Sequence, residues 1–151
     1  MIVWVPLIKF VVPGEPVGKG RPRASQRRGS IHFRTPEKTV TFQRTVQVLA
    51  RAAGARPKTM IPKGVPIRLD VIPIFHRPGR LYRKADPPGL VPHTGKPDID
   101  NVFKACADAL NDLVYKDDAQ ICSMRSDAYY HEKEGKSRTE ITVYVPKGTI
   151  E

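Results

Sequence analysis

Residues 96–121 read KPDIDNVFKACADALNDLVYKDDAQI, a helix-forming segment enclosed by two pairs of acidic residues. Between residues 100 and 113, apolar side chains recur at helical spacing. They predict one buried helix face, formed by Phe103, Cys106, Ala107, Leu110 and Leu113. Asp98 and Asp100 stand where this helix begins, and Asp117–Asp118 stand in the turn that follows it. The segment therefore predicts a helix packed on a sheet, with acidic side chains at both of its ends.

The charge of this segment is opposite to that of the chain as a whole. Six of the fifteen carboxylates lie between Asp98 and Asp118, whereas the 151 residues carry a formal net charge of +11. A strongly basic protein is suited to a polyanionic partner, with nucleic acid the first choice and an anionic membrane surface the second. Carboxylates repel phosphate unless a divalent cation lies between them. The two charge patterns together indicate a metal-dependent nuclease.

Composition narrows the class of protein further. The length fits a single domain over residues 1–151, and a composition of 40% apolar and 27% charged residues fits a folded globular protein. The apolar runs are shorter than the roughly 18 to 20 residues that cross a bilayer, and the start MIVWVPLIKFVVPG is interpreted as a first strand rather than a signal peptide. Cys106 and Cys122 lack the spacing of a zinc site. We expect a cytoplasmic protein with no membrane partner, associated with the nucleoid when bound to DNA.

Turn signals and periodicity predict the remaining elements. In chain order they are strands over residues 2–12 and on either side of Arg27–Ser30, a helix from Thr35 to Gly54, a strand over 62–75, a helix over 100–113, and strands near 120–131 and 138–146. Thr35 is predicted as the cap of the first helix, and Pro73 favours a sheet edge or a strand end. This order predicts an α+β fold, a single domain with two main helices packed on a mixed sheet.

The acidic pairs also have purely structural explanations. Asp100 can cap the first turn of its helix, and Asp117–Asp118 can form a simple turn before a strand. For a shared site, Asp118 must return toward the start of the helix to meet Asp100. A strand beginning at residue 119, beside the strand that leads into Asp98, would bring it there.

Lys104 has two explanations of equal weight. It lies four residues after Asp100, one helical turn further along the same face. There it either forms an ion pair with Asp100 or Asp108, or stabilises the charge that builds up on a phosphate under attack.

The same residues resemble the signature of a known family. The pattern K-x-D-x-D-N-x-x-K, followed by an alanine-rich DAL helix and a DDxQ turn, resembles that of the RusA-type Holliday junction resolvases. These are crossover junction endodeoxyribonucleases common in phages and prophages. The earlier segment GEPVGKGRPR, residues 14–23, resembles the basic N-terminal motif of that family. The two motifs lie far apart, so the resemblance covers most of the chain.

The resemblance implies a homodimeric, Mg²⁺-dependent enzyme, with Mn²⁺ as a substitute metal. It implies that the partner is four-way junction DNA, nicked in two opposed strands in recombination and repair, and that there is no small-molecule substrate. By position, Asp98, Asp100 and Asp118 match the catalytic, metal-binding carboxylates of the family, with Asp117 as a further metal ligand. Lys104 matches its essential catalytic lysine.

Two basic segments are predicted to bind DNA phosphates. From Lys19 to Lys38 the chain has seven basic residues against one acid, and residues 77–97 hold five Lys or Arg among five prolines. The predicted contacts are Lys19, Arg21, Arg23, Arg27, Arg28, Arg34, Arg77, Arg80, Arg83 and Lys84. A solvated charged surface would show the same bias. Two other classes therefore stay open: a non-catalytic basic nucleic-acid-binding protein, and a metal-dependent nuclease acting on RNA or flap DNA.

Overall fold

A computed structural model describes residues 1–149; residues 150 and 151 of the predicted domain lie outside the described residues. In chain order, the described part contains β1 (Trp4–Pro13), β2 (Arg23–Arg27), β3 (Ser30–Arg34), α1 (Glu37–Ala52), β4 (Ile67–Phe75), β5 (Val91–Pro92), α2 (Ile99–Leu110), β6 (Ile121–Arg125), β7 (Tyr129–Tyr130) and β8 (Arg138–Pro146). Short 3-10 turns lie at Pro57–Thr59, Gly79–Leu81 and Asp118–Gln120. The predicted α+β fold, with two main helices and a mixed sheet, is confirmed.

Strand β4 lies at the centre of a six-stranded mixed sheet. It pairs antiparallel with β8, which in turn pairs antiparallel with β1. On its other side β4 pairs in parallel first with β6, at Ile67 and Ile121, and then with β7, at Ile74 and Tyr129. Strand β5 pairs with β7. All three partners of the central strand thus come from the C-terminal half of the chain, and β1 joins the sheet through β8.

The strand predicted near residues 120–131 is in fact two strands, β6 and β7. Between them the chain leaves the ladder, and the Ser126 hydroxyl donates to the Val71 carbonyl oxygen at 2.7 Å. Pro73 faces this interval, just after the β6 pairing that ends at Asp70. The prediction of a sheet edge or a strand end at Pro73 is wrong, because β4 is central and continues to Phe75. A proline, which has no N–H, is tolerated in a central strand where the pairing on one side is interrupted.

The two helices bury the core between them and the sheet. The predicted inward residues Phe103, Cys106, Ala107 and Leu110 are buried, and Leu113 is half-buried. Gln43 and Gln47 of α1 donate side-chain N–H groups to backbone carbonyl oxygens of α2 at 3.0 and 3.1 Å, which fixes the two helices against each other. In the described part of the chain, the helices are too short or too polar to span a membrane.

The start of α1 differs from the prediction by one residue. Thr35 was expected as the N-cap, but Pro36 occupies that position with φ −54° and ψ 139°, and the helix begins at Glu37. The proline ring fixes φ but leaves ψ extended, so the first helical residue is the one after it. Thr39, in the first turn, is buried and bonds the basic motif, as described below.

Strands β2 and β3 form a hairpin that is separate from the six-stranded sheet. Its tip lies at Arg28 and Gly29, as predicted. Both residues have positive φ, 50° and 77°, which is the combination found in a two-residue type I′ turn. Every residue of the two strands is exposed. The hairpin therefore projects from the domain and adds little to its core.

Candidate active site

Helix α2 presents polar side chains along one exposed side. Asp100, Lys104 and Asp108 recur every four residues and so lie one above another. Asp100 and Lys104 are exposed, and the Asp108 side chain is 34% exposed. Asp100 is the second residue of the helix, not its N-cap, so it does not have the capping role that its position in the sequence allowed.

Asp98 occupies the N-cap position of α2, with φ −66° and ψ 146°. Its carboxylate pairs with Lys96 Nζ at 2.7 Å, and the two side chains are 48% and 84% exposed. An ion pair this exposed is worth about 1 kcal/mol or less, so Asp98 is free to exchange Lys96 for another cation. Beside it lies an open pocket of about 530 Å³, whose lining includes His93, Asp127 and Tyr129.

The basic motif of residues 14–23 packs along the same helix. The Lys19 N–H donates to the Asn101 carbonyl oxygen at 2.9 Å, and Lys19 Nζ lies 2.6 Å from Asp108 Oδ2. Gly18 permits this approach, because a Cβ there would lie 3.0 Å from the Cβ of Pro97. Asp108 was considered only as an ion-pair partner of Lys104. The sequence signal that could have singled out Asp108 was its position on the same helix face as Asp100, two helical turns further on.

A cationic groove of about 760 Å³ lies between the basic motif and the start of α1. Its lining includes Lys19, Arg21, Arg23, Lys38 and Asn101. Pro97 also lines this groove, and its neighbour Asp98 lines the 530 Å³ pocket. The cationic groove and this pocket are therefore lined by neighbouring residues, Pro97 and Asp98, where α2 begins.

Asp117 and Asp118 have different environments. The Asp117 carboxylate accepts from the Ala119 N–H at 3.0 Å, and the Asp117 N–H donates to Gln120 Oε1 at 2.8 Å. The Ala119 N–H, and after it a side-chain hydrogen bond with Asp118, lower the pKa of Asp117. Gln120 is buried and donates to the Pro62 carbonyl oxygen at 2.8 Å. Asp117 thus stabilises the turn, whereas Asp118 is exposed.

Tyr115 links this turn to α2. Its buried hydroxyl donates to the Ala107 carbonyl oxygen at 2.6 Å. Burial raises the pKa of Tyr115, and the negative charges of Asp118 and then Asp108 raise it further. Both carboxylates therefore lie close enough to one hydroxyl to act on its ionisation.

The route predicted for Asp118 is wrong. Strand β6, which follows Asp118, pairs with β4, whereas β5, which leads toward Asp98, pairs with β7. The reason is that β4 offers a longer partner than the two-residue β5. The segment before Asp118 is joined to α2 instead by the hydrogen bond from the Tyr115 hydroxyl to the Ala107 carbonyl oxygen.

Within residues 1–149, no three His, Cys, Asp or Glu side chains converge into a ready-made metal site. The donors themselves fit Mg²⁺, because this ion takes hard oxygen ligands and commonly binds one or two carboxylates together with phosphate oxygens and water. Asp98, Asp100 and Asp118 offer such carboxylates, and Asp100 and Asp118 are exposed. Their role as metal ligands, with Asp117 beside them, stays a prediction.

Arg77 does not have the surface position predicted for a DNA contact. It is 0% exposed, and its guanidinium donates to the carbonyl oxygens of Leu81, Pro87 and Gly89 at 2.7 to 2.9 Å. A planar guanidinium with five donors suits this task, because it can bond several carbonyls of a loop at once. Arg77 therefore organises the proline-rich segment 77–97 from inside.

The other predicted contacts remain on the surface or at its edge. Arg80, Arg83 and Lys84 are exposed on the segment that Arg77 organises. Lys133 Nζ donates to the Arg83 carbonyl oxygen at 2.8 Å, which holds this part of the segment. The first basic segment is likewise exposed at Lys19, Arg21, Arg23, Arg27, Arg28 and Arg34, although Lys19 is held in its ion pair with Asp108.

Comparison with known proteins assigns the chain to a family. The family model of endodeoxyribonuclease RusA matches residues 13–144, from the last residue of β1 to β8. This chain belongs to the RusA family of endodeoxyribonucleases. The RusA match includes residues 14–23 and 96–121, so the resemblance predicted from those two motifs is confirmed.

A curated relative is similar over most of its length. The uncharacterized protein YqaN of Bacillus subtilis (strain 168) is 39% identical over an alignment of 131 residues, and the match covers 83% of this chain and 89% of the relative. The RusA family assignment therefore rests on the family model, and YqaN is a relative that matches this chain along most of its length.

Proposed function

We propose that this RusA-type protein is a Mg²⁺-dependent endodeoxyribonuclease that resolves four-way DNA junctions by a pair of symmetric nicks, in DNA recombination and repair. One observation carries the proposal: a cationic groove and a pocket lined by Asp98 and Asp127 adjoin at the neighbouring residues Pro97 and Asp98, where α2 begins. A protein that only binds nucleic acid has use for the cations alone, because carboxylates weaken its hold on phosphate. A nuclease that works through a divalent ion has use for both.

The cations and carboxylates would divide the work between binding and cleavage. Arg21 and Arg23, which line the groove, would hold phosphates and position the duplex arms. Lys104 would stabilise the negative charge that builds up on the phosphate under attack. It is exposed and one turn beyond Asp100, so it lies beside the carboxylates without being buried among them.

The carboxylates of Asp98, Asp100 and Asp118 would hold the ion together with phosphate oxygens and water. When bound, Mg²⁺ supplies a polarised phosphate and a water of lowered pKa. Asp117 would keep the turn in shape for Asp118, through its bonds to Ala119 and Gln120. Mn²⁺ has a similar preference for oxygen ligands and would substitute.

Two nicks related by two-fold symmetry require two active sites. Each chain carries one such acidic segment. A C2 homodimer would therefore supply one site for each nick. Sedimentation is expected to give the mass of two chains; a pure monomer, with and without junction DNA, would contradict the paired mechanism.

The function is tested with labelled four-way junction, linear duplex, flap DNA and single-stranded RNA, each with Mg²⁺ and with EDTA. We expect Mg²⁺-dependent, symmetric nicking of the junction alone. Binding without cleavage in any metal would identify a non-catalytic binding protein, and preferential cleavage of RNA or flaps would identify a different nuclease.

A matched pair of variants separates the site from general loss of charge. Asp100→Asn should abolish cleavage, whereas Asp112→Asn should preserve it. Asp112 belongs to the same acidic segment, but its carboxylate pairs with Lys116 at 2.9 Å on the surface. It has φ 61°, a conformation that asparagine also accepts, so the control should fold normally.

A further inference from the structure

The β2–β3 hairpin has two faces of different chemistry. Ala24 pairs with Phe33 and Gln26 pairs with Ile31, so these four side chains share one face of the ribbon. The opposite face carries Arg23, Ser25, Arg27, Ser30, His32 and Arg34. One thin ribbon thus has a largely apolar face and a face rich in arginine.

The apolar face is open to solvent. Phe33 is 72% exposed and Ile31 is 67% exposed. Ala24, the partner of Phe33, is too small to cover the ring, and both strands lie outside the six-stranded sheet. Two large apolar side chains next to each other, on an element that adds little to the core, indicate a ligand rather than a role in folding.

We propose that the apolar face of this hairpin enters the branch point of the DNA junction, where Phe33 stacks on an unstacked base and Ile31 packs beside it. This inference rests on the proposed function and adds to it the element that recognises the branch. Apolar wedges and aromatic platforms are the side chains with which proteins hold bases that have left the helical stack. The arginine face would meanwhile contact phosphates of the arms.

Charge favours DNA over a second copy of the chain as the occupant. Each hairpin carries Arg23, Arg27, Arg28 and Arg34, so apposing two hairpins would bring like charges together. The apolar face is also small. Two side chains fall far short of the roughly 800 Å² that each partner buries in a stable interface.

The inference is tested with junctions that carry 2-aminopurine at each branch-point position in turn, bound in EDTA so that no cleavage occurs. Wild-type protein should raise the fluorescence at one branch position or more, because the base leaves its stack. Phe33→Ala should abolish this rise and weaken junction binding by roughly tenfold, with linear duplex binding unchanged. Phe33→Tyr should keep the rise, since the ring remains.

Val48→Ala is the matched control, because Val48 is an exposed apolar residue of α1, outside the hairpin. It should leave the fluorescence rise intact. All these side chains are exposed, so the thermal unfolding midpoints should agree, which separates loss of stacking from loss of the fold.

Three results would overturn the inference. In the first, Phe33→Ala keeps both the fluorescence rise and the affinity, and the wild type cleaves junctions. That result would rule out the branch-point contact and leave the proposed nuclease function intact. In the second, Phe33→Ala lowers the sedimenting mass without changing the fluorescence. That result would show that the apolar face binds a second copy of the chain. A wild type that neither binds nor cleaves junctions removes the proposed function and this inference with it.

Discussion

Lys19 Nζ and Asp108 Oδ2 lie 2.6 Å apart, in an ion pair that joins the N-terminal basic motif to α2. Both side chains are partly exposed, at 43% and 34%, so the pair adds about 1 kcal/mol or less to stability. The ion pair has a larger effect on the distribution of charge. It holds Lys19, a cation of the groove, against Asp108 on the polar side of α2.

Asp108→Asn should release Lys19 toward DNA. We expect tighter junction binding in EDTA, since one carboxylate is lost and one lysine is freed. Lys19→Ala in the Asp108→Asn background should remove the gain in affinity. A gain that survives the double substitution would show that Lys19 is not its source.

Changing Asp98, Asp100 or Asp118 to Asn should reduce cleavage by orders of magnitude, because each keeps the shape but loses the charge that attracts Mg²⁺. Junction binding in EDTA should stay equal or tighten. Asp117→Asn should cost much less activity, since asparagine can also cap the turn. Single-turnover cleavage rates of the four variants measure the order of these losses in activity. If Asp117→Asn is the most damaging of the four, then Asp117 and not Asp118 is the principal ligand.

Asp117 should also make stability depend on pH at the acid end. Its pKa is lowered in the folded protein, so it contributes stability that is present above the unfolded value, 3.8, and is lost as the pH falls through the lower folded value. Asp117→Asn should therefore remove part of the loss of stability below about pH 4. Urea unfolding midpoints at several pH values measure this, with Asp112→Asn as the control for removing one negative charge.

Arg77→Lys should destabilise the protein by about 2–3 kcal/mol, because one ammonium cannot satisfy the buried carbonyls that the guanidinium bonds. Urea unfolding and limited proteolysis within residues 77–97 measure the loss. Arg80→Lys, an exposed neighbour in the same segment, should leave both unchanged. Equal effects of the two substitutions would mean that the carbonyl bonds do not hold the segment.

Replacing Arg21, Arg23, Arg27 and Arg28 with alanine should weaken junction binding and flatten its dependence on salt. Each phosphate contact that is lost should reduce the slope of log affinity against log salt concentration by about 0.9. All four residues are exposed, so the unfolding free energy should change little. An unchanged slope would show that this segment faces away from DNA.

Local patterns predicted most of the fold. The inward face of α2 and the Arg28–Gly29 turn were predictable because helical spacing and left-handed turn residues act over a few positions. The division of the strand near 120–131 was not, because it depends on pairing with β4, about fifty residues away. The burial of Arg77 could not be predicted for the same reason. The sequence shows its charge, but only the folded segment supplies the carbonyl oxygens that its guanidinium bonds.

In the candidate site too, local relations between residues could be predicted and long-range ones could not. Asp100 and Lys104 share a helix, so their relation follows from spacing alone. The segment that leads to Asp118 is joined to the helix by Tyr115, whose burial no local pattern indicates. Lys19 and Asp108 belong to motifs that both stand out in the sequence, yet their contact depends on how the two ends of the domain pack.

The buried Thr39 hydroxyl donates to the Gly18 carbonyl oxygen at 3.2 Å and accepts from the Gly20 N–H at 3.1 Å. The two neighbours of Lys19 are thus both bonded to a residue of α1, while the Lys19 N–H bonds the Asn101 carbonyl oxygen of α2, so the basic motif has a fixed offset from both helices. A residue inserted or deleted between Gly18 and Gly20 would move Lys19 off Asp108, whereas a longer tip at Arg28–Gly29 would leave that offset alone. Homologous chains should therefore vary in length at the hairpin tip and keep a constant length between these two glycines.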